Sequence, residues 1–210
     1  GWFKERYPDR FVSCGVAEQD MMGVAAGAAL RGKIPFVCTF GVFASGRAWD
    51  QIRVSLAYMN LNVTIAGTHG GLTVGEDGAT HQAIEEVALM RCLPRMTVVV
   101  PADANEAKLA TIQSASIPGP VYLRLGRSAV PVVGAGADPF TIGTARILRG
   151  GDAVSICACG IMVCAALEAA EELARDGIDA EVINVHTIKP LDARTILASV
   201  RKTRSVVTAE

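Results

Sequence analysis

Apolar runs of strand length alternate with small-residue or amphipathic stretches of helix length along most of the chain. That alternation predicts parallel strands lying between covering helices, an α/β fold. Strands are expected at residues 11–14, 35–39, 63–66, 97–100 and 121–125, and helices at 18–31, 45–60, 82–91 and 105–116. The small, turn-forming run Val133-Gly134-Ala135-Gly136-Ala137-Asp138-Pro139 then places a boundary near 134–139, dividing the chain into 1–134 and 135–210. In the second segment strands are expected at 153–158, 180–185 and 205–208. One helix spans 162–175 with Gly177 as its stop, and another runs to Val200 behind Asp192 as a candidate cap. A three-stranded sheet leaves apolar faces bare, so this segment is expected to be incomplete or to lean on a neighbour.

Composition excludes several functions. The chain has 210 residues, with 20 Lys and Arg against 21 Asp and Glu, and a net charge of -1 offers no basic footprint for nucleic acid. No apolar run reaches the roughly 18 to 20 residues of a membrane span, so a soluble protein is expected. The six cysteines lie within apolar runs, without zinc-type pairing or a disulfide framework, which points to free thiols in a reducing cytoplasm. Neither a GxGxxG fingerprint nor a GxxxxGK[ST] phosphate loop occurs, which argues against a self-contained nucleotide enzyme. The chain opens at Gly1 without a start methionine and ends directly after an apolar run, so both ends are expected to be cut.

Four stretches carry chemistry. Glu18 opens a helix whose next turns contain Gly23, Ala25, Ala26, Gly27 and Ala28, small residues that permit close approach by a backbone or flat ligand. The acid either complements the helix dipole or, following an apolar strand, sits at the carboxyl edge of a parallel sheet where α/β folds bind ligands. Phe40 and Phe43 lie just beyond another strand and serve either as core or as a stacking surface for a heteroaromatic ring. The loop from Thr68 to Gln82 holds two of the three histidines, His69 and His81, with Glu76, Asp77 and four glycines. Either its glycines serve only as turns and His81 as a helix cap, or the imidazoles act on a polyhydroxylated substrate. The spacing of His69, Asp77 and His81 matches no metal motif, so no metal ligand is assigned. Arg127, after the strand at 121–125, is either a surface cation or a bidentate phosphate anchor.

Together these residues resemble the transketolase family of thiamine diphosphate enzymes, over its pyrimidine-binding domain and the beginning of its three-layer α/β C-terminal domain. The resemblance rests on Gly15-Val16-Ala17-Glu18-Gln19, Thr39-Phe40-Gly41-Val42-Phe43, Asp50-Gln51-Ile52-Arg53, Thr68-His69, Pro101-Ala102-Asp103 and the run from His186 to Asp192. Most specific is Gly75-Glu76-Asp77-Gly78-Ala79-Thr80-His81-Gln82, with twelve residues from His69 to His81.

The resemblance implies that Glu18 hydrogen-bonds the aminopyrimidine ring nitrogen and promotes the imino tautomer that deprotonates the thiazolium. A shielded acid of this kind is expected to have a raised pKa. Phe40 and Phe43 would pack on the pyrimidine, His69, Asp77 and His81 would contact the donor sugar, and Arg127 would hold its phosphate. Glu18, His69 and His81 are thereby the implied catalytic residues, in transfer of a two-carbon ketol unit between sugar phosphates.

Departures are also present. Gly70-Gly71 stands where transketolases commonly have Asp-Ser, Ala79 replaces a proline, and one extra residue lies between Phe43 and Arg53, so Arg47 receives no role. The diphosphate and Mg2+ motif is missing, which implies an amino-terminal transketolase subunit as partner in a homodimer or heterotetramer. The first strand of the pyrimidine domain and the end of the last domain are expected to be missing too. Deoxyxylulose phosphate synthase, a 2-oxoacid dehydrogenase beta-like subunit and a non-catalytic assembly subunit are the alternatives, and the Gly75–Gln82 string favours transketolase.

Overall fold

A computed structural model describes residues 1–133 and 140–210, so the expected boundary at 134–139 lies outside the described residues. The chain begins with α1 (Trp2–Arg6), a tight turn at Pro8–Arg10 and α2 (Glu18–Leu30), followed by β1 (Phe36–Phe40). Next comes a helical stretch that is π-helical at Phe43–Arg47, α-helical at Trp49–Gln51 (α3) and π-helical again at Ile52–Tyr58. Then follow β2 (Thr64–Thr68), the tightly turned loop Leu72–Thr80, α4 (Glu86–Cys92), β3 (Thr97–Val99), α5 (Ala104–Ser114) and β4 (Val121–Arg124). The remaining elements are β5 (Arg146–Arg149), β6 (Val154–Ala158), α6 (Met162–Arg175), β7 (Ala180–Asn184), β8 (Thr187–Lys189), α7 (Ala193–Thr203) and β9 (Val206–Ala209).

Two sheets organise the molecule. The first runs β1-β2-β4-β3-β8 and is parallel except for β8; the second runs β5-β7-β6-β9 and is parallel except for β5. The α/β expectation therefore holds. The near-continuous apolar character of Val98, Val99, Val121, Tyr122 and Leu123, all essentially inaccessible, is what strands covered on both faces require. In the second sheet, Ile156 and Ala158 pack with Val163, Ala166 and Ala170 of α6. Cys157 points the other way, towards Ile196 of α7, and Ser155 Oγ meets Ser199 Oγ and Thr203 Oγ1 on that same side. Alternation along one strand thus makes a three-layer unit.

Several expectations need correction. Residues 11–14 form no strand: Phe11 and Val12 are exposed, and an apolar run becomes a strand only where a neighbour can complete its ladder. The helix expected from residue 82 begins at Glu86. The second sheet has four strands and not three: β5 falls outside the expectation because Arg146 and Arg149 break its apolar pattern. Arg146 pairs with Glu106 at 3.1 Å and Arg149 with Asp179 at 2.9 Å. The sequence around β8 joins the first sheet, where Val98 aligns with Lys189 and Val99 with Thr187.

That crossing ties the two units together. Lys189 Nζ donates to the carbonyls of Arg91 and Leu93 at the end of α4, satisfying acceptors the helix leaves open. Asp103 caps α5 by accepting from Glu106 N at 2.9 Å, while Glu106 accepts from Ala102 N, Arg146 and Asn184. One buried carboxylate thereby links α5 to β5 and β7.

Candidate functional site

The carboxyl ends of β1, β2 and β4 lie side by side, since Phe40 aligns with Thr68 and Gly67 with Arg124. The residues that follow these ends, Phe43, His69 and Arg127, are thus brought to one edge of the sheet from distant parts of the chain.

Glu18 is the first residue of α2 and is buried. Its Oε2 accepts from Arg47 Nη1 at 2.9 Å, and Oε1 lies 3.5 Å from Thr39 Oγ1 on β1. Burial pushes the carboxyl up, but the Arg47 hydrogen bond and charge, its own backbone N–H and Thr39 outweigh that and hold it below the usual carboxylate range. The expectation of a raised pKa is corrected, and the reason is a partner the sequence left unassigned. Arg47 ends the first π-helical turn. That turn carries Arg47 to the Glu18 carboxyl.

Four rings form the adjoining wall. Phe40 and Phe43 are nearly parallel at 4°, with centroids 6.1 Å apart. His69 stacks on Phe40 at 4.1 Å, and His81 meets Phe40 and Phe43 edge-on at 5.7 and 5.2 Å. All four are partly exposed, so they line a surface and are not sealed in core. His69 has φ 58°, and its Nδ1 lies 3.0 Å from Thr68 Oγ1; His81 Nδ1 lies 2.8 Å from Thr80 Oγ1. His81 does not cap the following helix, which begins only at Glu86.

The loop Leu72–Thr80 turns at Gly75 (φ 82°) and Gly78 (φ 68°). Arg127 donates through Nη1 to Val74 O, and that nitrogen lies 3.9 Å from Asp77 Oδ2. Both charged side chains remain more than two-fifths exposed. Asp77 and Arg127 are therefore brought together at the loop, as are the two histidines with the phenylalanines.

Beneath the loop lies a support that sequence reasoning missed. Arg124 Nε donates to the buried Glu86 Oε1 at 2.8 Å. A Cβ at Gly70 would sit 2.6 Å from Arg124 Nε, and one at Gly71 would sit 2.5 Å from its Nη2. At Gly67 a Cβ would stand 2.3 Å from Tyr122 Oη. The run of glycines was the available signal that large side chains press on this backbone from below.

The arrangement combines a buried acid, a pair of near-parallel phenyl rings, two accessible imidazoles and a cation beside a carboxylate. The acid and the phenyl rings fit a planar nitrogen heterocycle; the others fit a polyhydroxylated anion. Among the described residues, no group of three or more His, Cys, Asp or Glu side chains is placed to hold a metal ion. None of their helices is long and apolar enough to cross a membrane.

Comparison with known proteins places the chain in a family. Residues 1–133 match the model of the transketolase pyrimidine-binding domain, and residues 143–210 match the transketolase C-terminal domain. The 6-deoxy-6-sulfo-D-fructose transketolase subunit SqwH of Clostridium sp. (strain MSTE9) is 49% identical over 208 residues, 99% of this chain and 65% of that protein. An apulose-4-phosphate transketolase subunit of Phocaeicola vulgatus is 39% identical over 211 residues, 100% of this chain and 68% of that protein. The chain thus spans about two thirds of the length of these curated relatives. Among solved structures, a split-gene transketolase described as an inactive beta4 tetramer superposes with a TM-score of 0.92 at 49% identity, covering 99% of this chain and 68% of that one. Transketolase from Campylobacter jejuni gives 0.79 at 25% identity, over 94% of this chain and 31% of that one. The fold, the sheet-edge site and these similarities lead to one conclusion: the chain belongs to the transketolase family.

Proposed function

We propose that this chain supplies the pyrimidine-binding domain (1–134) and the C-terminal domain (135–210) of a split transketolase, which moves a two-carbon ketol unit between sugar phosphates. The observation that carries this reading is the buried Glu18 carboxyl beside Thr39 on β1, whose carboxyl end leads into the paired rings Phe40 and Phe43.

Glu18, Phe40 and Phe43 would hold the aminopyrimidine of thiamine diphosphate. When bound, this cofactor supplies a nucleophilic carbon and an electron sink. The role of Glu18 is to share a proton with the ring nitrogen from a site kept out of bulk water. His69 and His81 are each engaged through Nδ1, which leaves Nε2 to bind and exchange protons with the donor's oxygens. Asp77 reads a hydroxyl, and Arg127 binds the distal anion of the sugar. Fixing the distal end orients the reacting end. The relatives' names, one citing a sulfonated and one a phosphorylated sugar, support an anionic group as the feature recognised.

The diphosphate and its Mg2+ are assigned to an amino-terminal partner subunit, in a cytoplasmic assembly with two copies of each chain. The open surface of α2 supports close docking there: a Cβ at Gly23 or Gly27 would meet nothing within 4 Å.

The test is reconstitution with the amino-terminal subunit, thiamine diphosphate and Mg2+, followed by a ketol-transfer assay of Glu18→Gln. Loss of about a hundredfold or more, roughly 2.7 kcal/mol of barrier, is expected. Retention within about tenfold, or no turnover by the wild-type complex on any anionic ketose, removes the catalytic reading and leaves an assembly subunit.

A further inference from the structure

Arg47 makes two contacts that belong to different kinds of partner. Its Nη1 donates to Glu18 Oε2 at 2.9 Å, and its Cζ lies 4.3 Å from the centroid of the Phe43 ring. A guanidinium is flat, cationic and rich in N–H donors, so it stacks on an aromatic face while donating to a carboxylate in its plane. A protonated aminopyrimidine has the same three properties. The Arg47 head therefore satisfies the contacts that an aminopyrimidine between Glu18 and Phe43 would make.

The side chain is also free to leave. It is 45% exposed, whereas the carboxylate it covers is 6% exposed. Its backbone is held independently, because Gln19 Nε2 donates to Arg47 O at 3.1 Å. Leaving the buried Glu18 carboxylate without a partner is costly, so some cation must neutralise it when nothing else does. Arg47 meets that need from a position at the mouth of the site.

We infer that Arg47 is a built-in occupant of the aminopyrimidine seat, a latch that covers Glu18 and Phe43 in the cofactor-free subunit and must swing out when thiamine diphosphate binds. This rests on the reading of Glu18 and Phe43 as the pyrimidine contacts. A latch of this kind lowers apparent affinity by the fraction of time it is closed. Removing it must tighten binding, whereas removing an ordinary structural or cofactor-contacting residue weakens it.

The experiment is calorimetric titration of thiamine diphosphate, with Mg2+, into the complex of this chain with an amino-terminal transketolase subunit. Wild type, Arg47→Ala, Arg47→Gln, Glu18→Gln and the Glu18→Gln/Arg47→Ala double variant are compared. Arg47→Ala and Arg47→Gln are expected to lower Kd by about two- to fivefold, the yield of freeing a half-exposed ion pair. Glu18→Gln is expected to raise Kd, and in its background the Arg47 effect should vanish. A Kd that stays the same or rises in both Arg47 variants, with Glu18→Gln still weakened, overturns the latch and leaves the cofactor reading standing. An unchanged Kd in Glu18→Gln overturns the seat itself, and the latch with it. A second readout needs no cofactor: the 13C titration of the Glu18 carboxyl should move to higher pH in Arg47→Gln, and an unmoved midpoint also overturns the latch.

Discussion

Arg124 and Glu86 form an ion pair at 2.8 Å directly under the backbone of Gly70, joining the end of β4 to the start of α4. The pair is the floor under Gly70 and Gly71, the link between His69 and the loop Leu72–Thr80. It explains why Gly70-Gly71 follows His69 in this chain: the volume that side chains would need is filled from below.

Gly70→Ala is therefore expected to destabilise the protein by about 1–3 kcal/mol, because the new Cβ must displace a paired guanidinium and carboxylate, not a free chain end. Urea unfolding monitored by circular dichroism checks this. Ala79→Pro, in the exposed part of the loop, serves as a comparison on the same segment that does not touch the pair.

Arg124→Met should cost about 3–5 kcal/mol, since it strands a carboxylate that is 2% exposed. The double change Arg124→Met with Glu86→Met should recover most of that loss. A double-mutant cycle by denaturant midpoint measures it, and additivity of the two single changes would show the pair to be uncoupled.

Arg127→Ala should raise KM for a ketose phosphate by about ten- to a hundredfold, the range for a charged hydrogen bond worth about 1.5–3 kcal/mol. The corresponding unphosphorylated ketose should show little change. Equal losses on both donors would mean that Arg127 only braces Val74 and Asp77.

Asp192 caps α7 by accepting from Thr195 N and Oγ1, and also accepts from Ala145 N ahead of β5. The Thr195 hydroxyl, against a smaller opposing effect of burial, and these backbone N–H groups hold its carboxyl below the ordinary 3.8. A depressed folded-state pKa means stability that is present above about pH 3.8 and is lost as pH falls through the folded value. Asp192→Asn should unfold with a flatter acid limb than wild type, and Asp192→Ala should lose about 0.5–2 kcal/mol near neutrality. Urea midpoints between pH 7 and about pH 3 test both.

Much of this protein was legible along the chain. Unbroken apolar stretches such as Val98-Val99-Val100 announced buried parallel strands, Asp192 announced a cap, and Gly75 through Gln82 announced a tightly turned loop. These features are local, because periodicity, capping and positive φ act within a few residues. The placement of Phe43, His69 and Arg127 beyond the ends of neighbouring parallel strands followed from the parallel order that such a pattern imposes.

Tertiary structure alone decided the rest. Glu18 and Arg47 are 29 residues apart, and they pair only because α2 and the π-helical turn that ends at Arg47 pack against each other. The segment at 11–14 has strand-like residues and no strand, while the charged β5 is one, because a ladder exists only where a second strand is in register. Likewise β8 left its expected unit to close the edge of the other sheet. Sequence sets what each segment can bury; which partner it meets, and so whether a buried acid stays charged, is settled only when distant segments pack.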